Sequence, residues 1–297
     1  MKPTIRIGVA ILAGNFLLLL FSSFFPVQQP SDPLLHYTRC LVPIQVQLKS
    51  GQHNFGTGFL LRKQTPEDTI VYLVTARHVL WDYSANQPAV SMSLVLMEKE
   101  RQASWKQYPL ASDSLPQHLF LHPDSTVDAA LVRLDISPKA YANQFLDASE
   151  ILGMEAFKRV FQIANAHTDF SFYVGYHMDS LMQNNLFTQV GRGPIPQFPS
   201  ALQRPQARNA VLPSDNYLIS QMVLAKGNSG SPVFILINQE RFRSPKGRPL
   251  VVLAGIVSAV IPNKTIRQGK MHSDAEEYTL KPTRLVAASK LAEIIPH

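Results

Sequence analysis

The chain has 297 residues, of which 45% are apolar and 16% charged, with 22 prolines and 14 glycines. This composition is typical of a folded protein with many turns and excludes disorder throughout. The net charge of +7 comes from scattered basic residues, so no nucleic-acid partner is predicted. Cys40 is the only cysteine, which excludes an intramolecular disulfide and a four-cysteine metal site.

The N-terminus has the layout of an export signal. Lys2 and Arg6 precede an uncharged, largely apolar run from Ile7 to Phe25. As a helix this run would span about 28 Å, close to the thickness of the bilayer core. We therefore predict a signal peptide or signal anchor over residues 1–30, with a transmembrane helix at about 7–25. A retained anchor is favoured over a cleaved signal, and both place the rest of the chain outside the cytoplasm, as a periplasmic, extracellular or secreted protein.

Short apolar or alternating runs follow, and they predict two β units joined by a linker. The segment from 137 to 159 is more polar and tolerates helix, whereas five prolines between Gly191 and Pro213 predict a long surface loop. Spacings of three or four residues between apolar positions predict a C-terminal amphipathic helix at about 283–295. The predicted strands are 42–48, 58–62, 69–75, 90–97, 128–134, 170–176, 217–223, 232–237 and 250–260.

The most informative motif is Gly-Asn-Ser-Gly-Ser-Pro, which runs from Gly227 to Pro232. A serine between glycines permits a tight turn that directs successive N–H groups toward one point beside the hydroxyl. Ser229 would then attack an acyl carbon, and the N–H groups of Gly227 and Ser229 would form an oxyanion hole. Without other catalytic groups, such a hexapeptide is more often an ordinary turn.

A serine nucleophile needs an imidazole base and a carboxylate that orients the base. His78 comes three residues after Thr75, at the end of the predicted strand 69–75, and Asp128 begins another apolar run. Each residue alone has an ordinary explanation, as a surface histidine or a turn-forming aspartate. An α/β-hydrolase is disfavoured because its acid and histidine follow the serine, whereas here they precede it.

Together these blocks resemble the trypsin-like serine peptidases, specifically the bacterial branch that includes HtrA-type and glutamyl endopeptidases. The resemblance extends over most of residues 40–290 and includes the order His78, Asp128, Ser229. It implies an all-β peptidase domain at 40–297 with two six-stranded antiparallel β-barrels, at about 40–136 and 165–282, and a short C-terminal helix. The other similar blocks are Gly56–Leu60, Thr75–His78, Tyr173–Tyr176 and Gly255–Ser258.

The resemblance also implies a substrate pocket with its base at Val223 and Leu224 and its wall at Ser258, Ala259 and Val260. No acid stands at this base, which disfavours cleavage after Lys or Arg, and the branched Val260 favours small apolar residues. The resemblance further implies a protein or peptide substrate and no metal or other cofactor, and it leaves the oligomeric state open. The competing hypothesis is a catalytically inactive relative that serves as a binding or scaffold module.

Two departures from the family pattern bear on regulation. Asn228 occupies the place where digestive relatives have an aspartate that pairs with a newly formed N-terminal amine. An amide forms no such ion pair, so we predict no activation by terminal insertion. The short remainder of the chain after Pro232 predicts no C-terminal regulatory peptide-binding (PDZ) domain.

Overall fold

The computed structural model describes residues 37–97, 105–110, 115–177, 188–199, 206–207, 210–211, 214–238, 249–260 and 281–296. These residues lie mostly in β-strands, which form two large antiparallel sheets. The predicted transmembrane helix at 7–25 lies outside the described residues. None of the helices within the described ranges reaches the length and apolarity needed to cross a membrane.

The first sheet contains eight strands, seven of which pair in the order β7-β6-β1-β2-β3-β9-β8, while β10 adds to β2 in parallel. A separate two-stranded hairpin, β4–β5, follows β3. In chain order these strands are β1 (Leu41–Gln47), β2 (His53–Gln64), β3 (Thr69–Thr75), β4 (Trp81–Asp82), β5 (Gln87–Pro88), β6 (Ser91–Met97), β7 (Trp105–Leu110), β8 (Leu119–Leu121), β9 (Ala130–Leu134) and β10 (Leu146–Asp147).

The second sheet contains six strands in the order β12-β11-β16-β17-β18-β15. A pair of backbone hydrogen bonds between Gln197 and Ile219, at 2.9 and 2.7 Å, joins the chain after β12 to β15 and so connects the two edges. The remaining strands are β11 (Phe170–Tyr176), β12 (Thr188–Gly193), β13 (Gln206–Ala207), β14 (Ala210–Val211), β15 (Tyr217–Met222), β16 (Pro232–Ile237), β17 (Leu250–Val260) and β18 (Lys281–Ala287), of which β13 and β14 pair only with each other.

The two sheets share one cyclic strand order. In the second sheet it is first, second, third, sixth, fifth, fourth, and the Gln197–Ile219 pairing closes the circle. The first sheet has the same order if β7 and β8 count as one interrupted fifth strand, because β7 pairs with β6 and β8 pairs with β9. The prediction of two six-stranded units is therefore confirmed for the second sheet. The first sheet has eight strands, because its fifth strand is divided into β7 and β8 and because β10 is added.

Each sheet buries apolar side chains as its sequence pattern requires. Strand β6 alternates, burying Met92, Leu94 and Leu96 while the residues between them are partly exposed. This period of two is typical of a strand with one face toward a core. All six residues of β16 are buried, which is typical of a strand covered on both faces.

The helices are short, and the C-terminal one corrects a prediction. Those that lie wholly within the described ranges are α1 (Arg77–Leu80), α2 (Leu115–His118), α3 (Met154–Ile163) and α4 (Ala288–Ala292), with 3₁₀ turns at Pro138–Ala140, Ala148–Glu150 and Ser214–Asn216. The prediction of a helix from 283 to 295 is wrong for its first half, because Lys281–Ala287 forms β18 between β15 and β17. Backbone pairing on both sides outweighs the helical spacing of the apolar residues there.

The segment between Gly191 and Pro213 also differs from the predicted loop. Strand β12 continues to Gly193, Gln197 pairs with Ile219, and β13 and β14 form a small hairpin. Pro194, Pro196 and Pro199 are compatible with this arrangement because they stand outside the paired residues and remove no ladder hydrogen bond there.

Candidate active site

His78 and Asp128 are joined by two hydrogen bonds. His78 lies in the one-turn helix α1, directly after β3, and Asp128 lies in the loop before β9. One carboxylate oxygen of Asp128 accepts from the backbone N–H of His78 at 2.9 Å, and the other lies 2.7 Å from its Nδ1. Because β3 and β9 pair in register, the sheet itself brings the two residues together across 50 positions of sequence.

The carboxylate of Asp128 is buried, whereas the His78 side chain is 33% exposed. Burial alone would raise the pKa of Asp128, but the hydrogen bonds and charge of His78, together with the hydroxyl of Ser258, bring it below its usual value. Asp128 is therefore ionised at neutral pH and only accepts hydrogen bonds. Nδ1 of His78 must then carry the proton, which leaves Nε2 of the neutral ring as an acceptor.

Ser258 has a role that the sequence did not reveal. The sequence predicts it in the wall of the substrate pocket, but its hydroxyl donates to Asp128 Oδ2 at 2.7 Å. Arg284 in β18 in turn donates from Nη2 to the Ser258 hydroxyl at 3.2 Å. No local spacing could indicate these contacts, because Ser258 and Asp128 are 130 residues apart. They follow only from the placement of β17 and β18 beside the loop of Asp128.

A turn before Asp128 holds its loop in place. The carboxylate of Asp124 accepts from the backbone N–H and the hydroxyl of Thr126, at 2.8 and 2.7 Å. It also accepts from the side-chain amide of Asn216, in the 3₁₀ turn before β15, at 2.9 Å. Such an Asx-turn fixes the backbone without regular structure. The loop that carries Asp128 is thereby tied to the second sheet.

The turn that carries Ser229 is shaped by two glycines and one asparagine. Gly227 and Gly230 have φ values of +96° and +84°, a region that favours glycine because it has no Cβ. The side chain of Asn228 accepts from the N–H of Ala225 at 2.7 Å and donates to the carbonyl of Tyr176 at 3.1 Å. Asn228 therefore fixes the turn internally and against β11, as a neutral residue that needs no terminal amine.

Thr57 links this turn to both sheets. Its N–H donates to the carbonyl of Ser229 at 2.8 Å, and its hydroxyl donates to the carbonyl of Gly227 at 2.8 Å. The same hydroxyl accepts from the N–H of Tyr176 at 3.0 Å, and the carbonyl of Thr57 accepts from the Thr75 hydroxyl at 2.8 Å. Thr57 is fully buried. It therefore fixes the position of the turn relative to the end of β3, where α1 and His78 begin.

The backbone framework also links the Ser229 turn indirectly to the pair of His78 and Asp128. The residue after Ser229 donates its N–H to the carbonyl of Val257 at 2.8 Å, and Ser258, the next residue along β17, bonds to Asp128. In the part of the chain that the structure describes, no hydrogen bond joins the Ser229 hydroxyl to His78. Hydrogen bonds between nucleophile and base are often long in unliganded sites and shorten when substrate binds.

Two backbone donors of the turn have no hydrogen-bond partner among the described residues. The N–H groups of Asn228, Gly230 and Ser231 each donate to a backbone carbonyl. Among the described residues, no hydrogen bond involves the N–H of Gly227 or that of Ser229. Both residues are partly exposed. The two free donors are the groups that the sequence predicts for an oxyanion hole.

The predicted pocket residues come from two separate elements. The carbonyl of Val223 accepts a hydrogen bond from the Tyr173 hydroxyl, and the side chain of Leu224 is buried. This fixes the segment after β15 against β11. Ala259 lies near the end of β17 and is partly exposed, and the backbone of Val260 ends that strand. Along the chain, the predicted base precedes the Ser229 turn and the predicted wall follows it.

Comparison with known proteins gives only distant structural likenesses. No protein-family model matches the sequence, and no curated protein matches it. The chain is similar to the active form of the Rv3671c protease from M. tuberculosis, at 12% identity, a TM-score of 0.46 and coverage of 91% of this chain and 85% of that one. It is also similar to the HtrA-type protease AlgW with a tripeptide, at 12% identity, a TM-score of 0.45 and coverage of 88% and 60%.

A third similar structure is HL collagenase, at 12% identity, a TM-score of 0.47 and coverage of 86% of this chain and 90% of that one. Likenesses at these identities and scores carry no functional argument. The chemistry proposed below therefore rests on the atoms of this site.

Proposed function

We propose that the protein is a serine endopeptidase that hydrolyses peptide bonds through an acyl-enzyme, with Ser229 as nucleophile, His78 as general base and Asp128 as its orienting carboxylate. The observation that carries this proposal is the buried Asp128 carboxylate bonded at 2.7 Å to Nδ1 of the partly exposed His78. This contact fixes the tautomer in which Nε2 can accept a proton. The free N–H groups of Gly227 and Ser229 supply the matching electrophilic site.

The reaction follows from these positions. Ser229 Oγ attacks the peptide carbonyl carbon while its proton passes to Nε2 of His78, and the carbonyl oxygen becomes an oxyanion held by the N–H groups of Gly227 and Ser229. The C–N bond then breaks, and His78 returns the proton to the departing amine. Water attacks the resulting ester by the reverse sequence, which releases the carboxylic acid and restores the Ser229 hydroxyl.

A cysteine nucleophile does not fit this chain. Cys40 is its only cysteine, and it is buried. Burial, with the charge of Glu150 adding to it, raises the pKa of the Cys40 thiol to about 12. The thiol is therefore protonated at physiological pH and is no longer a competent nucleophile.

An inactive binding module is the second candidate function. It is favoured by one observation, which is that the described residues show no hydrogen bond between the Ser229 hydroxyl and His78. The donor pair and the oriented imidazole favour catalysis, because together they supply the base and the electrophilic site that acyl transfer requires. We further propose that the N-terminal segment exports the peptidase domain and tethers it to a membrane.

Peptide hydrolysis by two serine variants tests the proposal. Ser229→Ala is expected to lower kcat by a factor of about 10⁴ or more, because no other group can form the acyl-enzyme. Ser231→Ala is the matched control, since it removes a neighbouring buried hydroxyl that has no hydrogen-bond partner among the described residues, and it is expected to retain activity. Equal activity of the wild type and the Ser229→Ala protein would refute the assignment.

A further inference from the structure

A bulge in β17 brings Ser258 between two charged groups. The register shift between Val257 and Ala259 leaves Ser258 without a cross-strand partner in β18, and a bulge of this kind changes the direction of a side chain. The Ser258 hydroxyl accepts from Nη2 of Arg284 at 3.2 Å and donates to Oδ2 of Asp128 at 2.7 Å. One hydroxyl group therefore separates the guanidinium from the carboxylate of the proposed triad.

Arg284 fixes the direction in which the Ser258 hydroxyl donates. A guanidinium has only hydrogen-bond donors, so the hydroxyl oxygen must accept from it. The single proton of the hydroxyl is then left for the carboxylate of Asp128. A hydroxyl that turned its lone pair toward this carboxylate would remove one of the hydrogen bonds that lower the pKa of Asp128 against the effect of burial. Arg284 therefore favours the ionised carboxylate through Ser258.

The ring of Tyr217 holds the guanidinium behind Ser258. Arg284 pairs with Ile219 of β15, and Tyr217 lies two residues earlier in that strand, on the same face. The guanidinium carbon lies 4.9 Å from the ring centroid, a distance typical of a cation–π contact. Tyr217 is fully buried, so packing restricts its ring. A long and flexible side chain is thereby held in one direction.

The charge of Arg284 has no carboxylate partner in direct contact. Within the described ranges, its one hydrogen bond is the contact with Ser258, and its Nε is inaccessible to solvent and has no hydrogen-bond partner. A partly buried charge with so few partners costs folding free energy. A role that only stabilises the fold is therefore disfavoured for Arg284.

Several charged and titratable groups from different elements surround this position, and each enters the electrostatic balance of the site. They are Arg77 and His78 in α1, Asp124 and Asp128 in the loop before β9, Tyr83 in the β4–β5 hairpin and Tyr217 in β15. Burial raises the pKa of Tyr83 and Tyr217, and on both hydroxyls Asp128 and Arg284 act in opposite directions. Both charges are therefore close to both tyrosines.

We propose that Arg284 is a positioning residue of the peptidase reaction, which acts on Asp128 through Ser258. It directs the hydroxyl proton onto the carboxylate, and its charge disfavours a positive charge on the resting His78 ring. The carboxylate then holds a neutral ring whose Nε2 can accept the proton of Ser229. This inference rests on the proposed function and adds to it a residue that acts through another.

The pH dependence of kcat/KM in the full-length protein tests this role, because its low-pH midpoint reports the protonation of the catalytic base. Removing the positive charge of Arg284 favours a charged imidazole, so activity must be lost at a higher pH. Arg284→Gln is expected to move the midpoint upward by about 0.5 unit or more. Its kcat at the optimum is expected to fall about tenfold, with KM nearly unchanged, because the Ser258 proton is no longer directed.

Two further substitutions at the same position complete the test. Arg284→Lys keeps the charge and a donor, so it is expected to keep the wild-type midpoint. Arg284→Met has an unbranched side chain that can fill the same space, and it replaces Arg284→Gln as the neutral variant if the latter does not fold. An unmoved midpoint in the neutral variant, or an equal shift in Arg284→Lys, would overturn the proposal.

Arg192→Gln is the matched control. Arg192 also lies over an aromatic ring, 4.7 Å from the centroid of Phe170, but it lies in β12, which carries none of the proposed catalytic residues. It is expected to retain the wild-type midpoint and kcat. A midpoint that moves as far in Arg192→Gln as in Arg284→Gln would show a general effect of lost positive charge and would contradict the specific role of Arg284.

Magnetic resonance of the histidine rings separates this inference from the peptidase function itself. In the Ser229→Ala protein, the His78 signal is identified by its loss in His78→Ala and is titrated with and without Arg284→Gln. A higher titration midpoint in the variant that lacks Arg284 supports its role even if no variant hydrolyses peptides, in which case only the proposed function fails. Equal midpoints overturn the role of Arg284, whatever the activity of the wild type.

Discussion

Replacing Asp128 by asparagine is expected to lower kcat for peptide hydrolysis by about 10³- to 10⁴-fold. The carboxylate accepts from the N–H and Nδ1 of His78 and from the Ser258 hydroxyl. An amide has one oxygen and one NH₂ group, so the NH₂ displaces a donor and favours the histidine tautomer that has its proton on Nε2. His78 then cannot take the proton of Ser229. Steady-state kinetics with one peptide substrate measures the loss.

Asp82→Asn is the control for this substitution. Asp82 directly follows Trp81 at the end of α1 and is buried. Its Oδ1 accepts from the N–H and hydroxyl of Ser84 and from the N–H of Ala85. An asparagine can keep all three bonds with its amide oxygen, so activity is expected to change less than tenfold. A loss of similar size in the two variants would show that the Asp128 effect is structural.

Replacing Gly230 by alanine is expected to destabilise the fold by about 3 kcal/mol or more and to remove the activity with it. The φ of Gly230 is +84°, and an added Cβ would lie 2.2 Å from both the Thr57 carbonyl and the Thr75 hydroxyl. These atoms belong to the framework that fixes the Ser229 turn. The turn must therefore move away from β2 and β3. Chemical denaturation measures the free energy of unfolding.

Gly51→Ala separates backbone strain from steric conflict. Gly51 has a similar φ of +80°, but an added Cβ there meets no atom within 4 Å. Its substitution is expected to cost about 1–2 kcal/mol from the left-handed backbone alone. If Gly230→Ala destabilises the protein no more than Gly51→Ala does, the turn is not held against Thr57 and Thr75 as described.

The strands that the sequence predicted best are those with continuous apolar runs. The predicted bounds of β3, β11, β16 and β17 are those of the structure, because β-branched and aromatic residues favour a buried pleated strand. Strand β12 lacks such a run, since it reads Thr-Gln-Val-Gly-Arg-Gly, and it forms through its pairing with β11. Strand β18 also lacks a continuous apolar run, and the spacing of its apolar residues predicted a helix. It forms a strand through its pairing with β15 and β17.

The shared strand order of the two sheets could not be predicted from the sequence either. The chain shows no residue-level repeat, because the common feature is the order in which strands pair and not the side chains that fill each core. A cyclic order of six strands is satisfied by many combinations of apolar residues, provided that the volume and the alternation are kept.

The sequence likewise predicted some residues of the candidate site and missed others. Ser229, His78 and Asp128 were predicted from local motifs, and the structure joins His78 to Asp128 directly. Their catalytic roles remain predictions. The hydrogen bonds of Ser258 and Arg284 could not be predicted, because both depend on the register of β17 against β18, and that register is shifted by a bulge between Val257 and Ala259. A bulge changes which side chain points toward the site.

Reaction with a fluorophosphonate probe tests the central claim most directly. The probe forms a covalent bond only with a serine that is activated by a base and whose phosphoryl oxygen is stabilised by an oxyanion hole. Mass spectrometry of the labelled wild-type protein is expected to find one adduct, on Ser229, which is absent in Ser229→Ala and in His78→Ala. A wild-type protein that is folded by circular dichroism and carries no adduct on Ser229 would contradict the account.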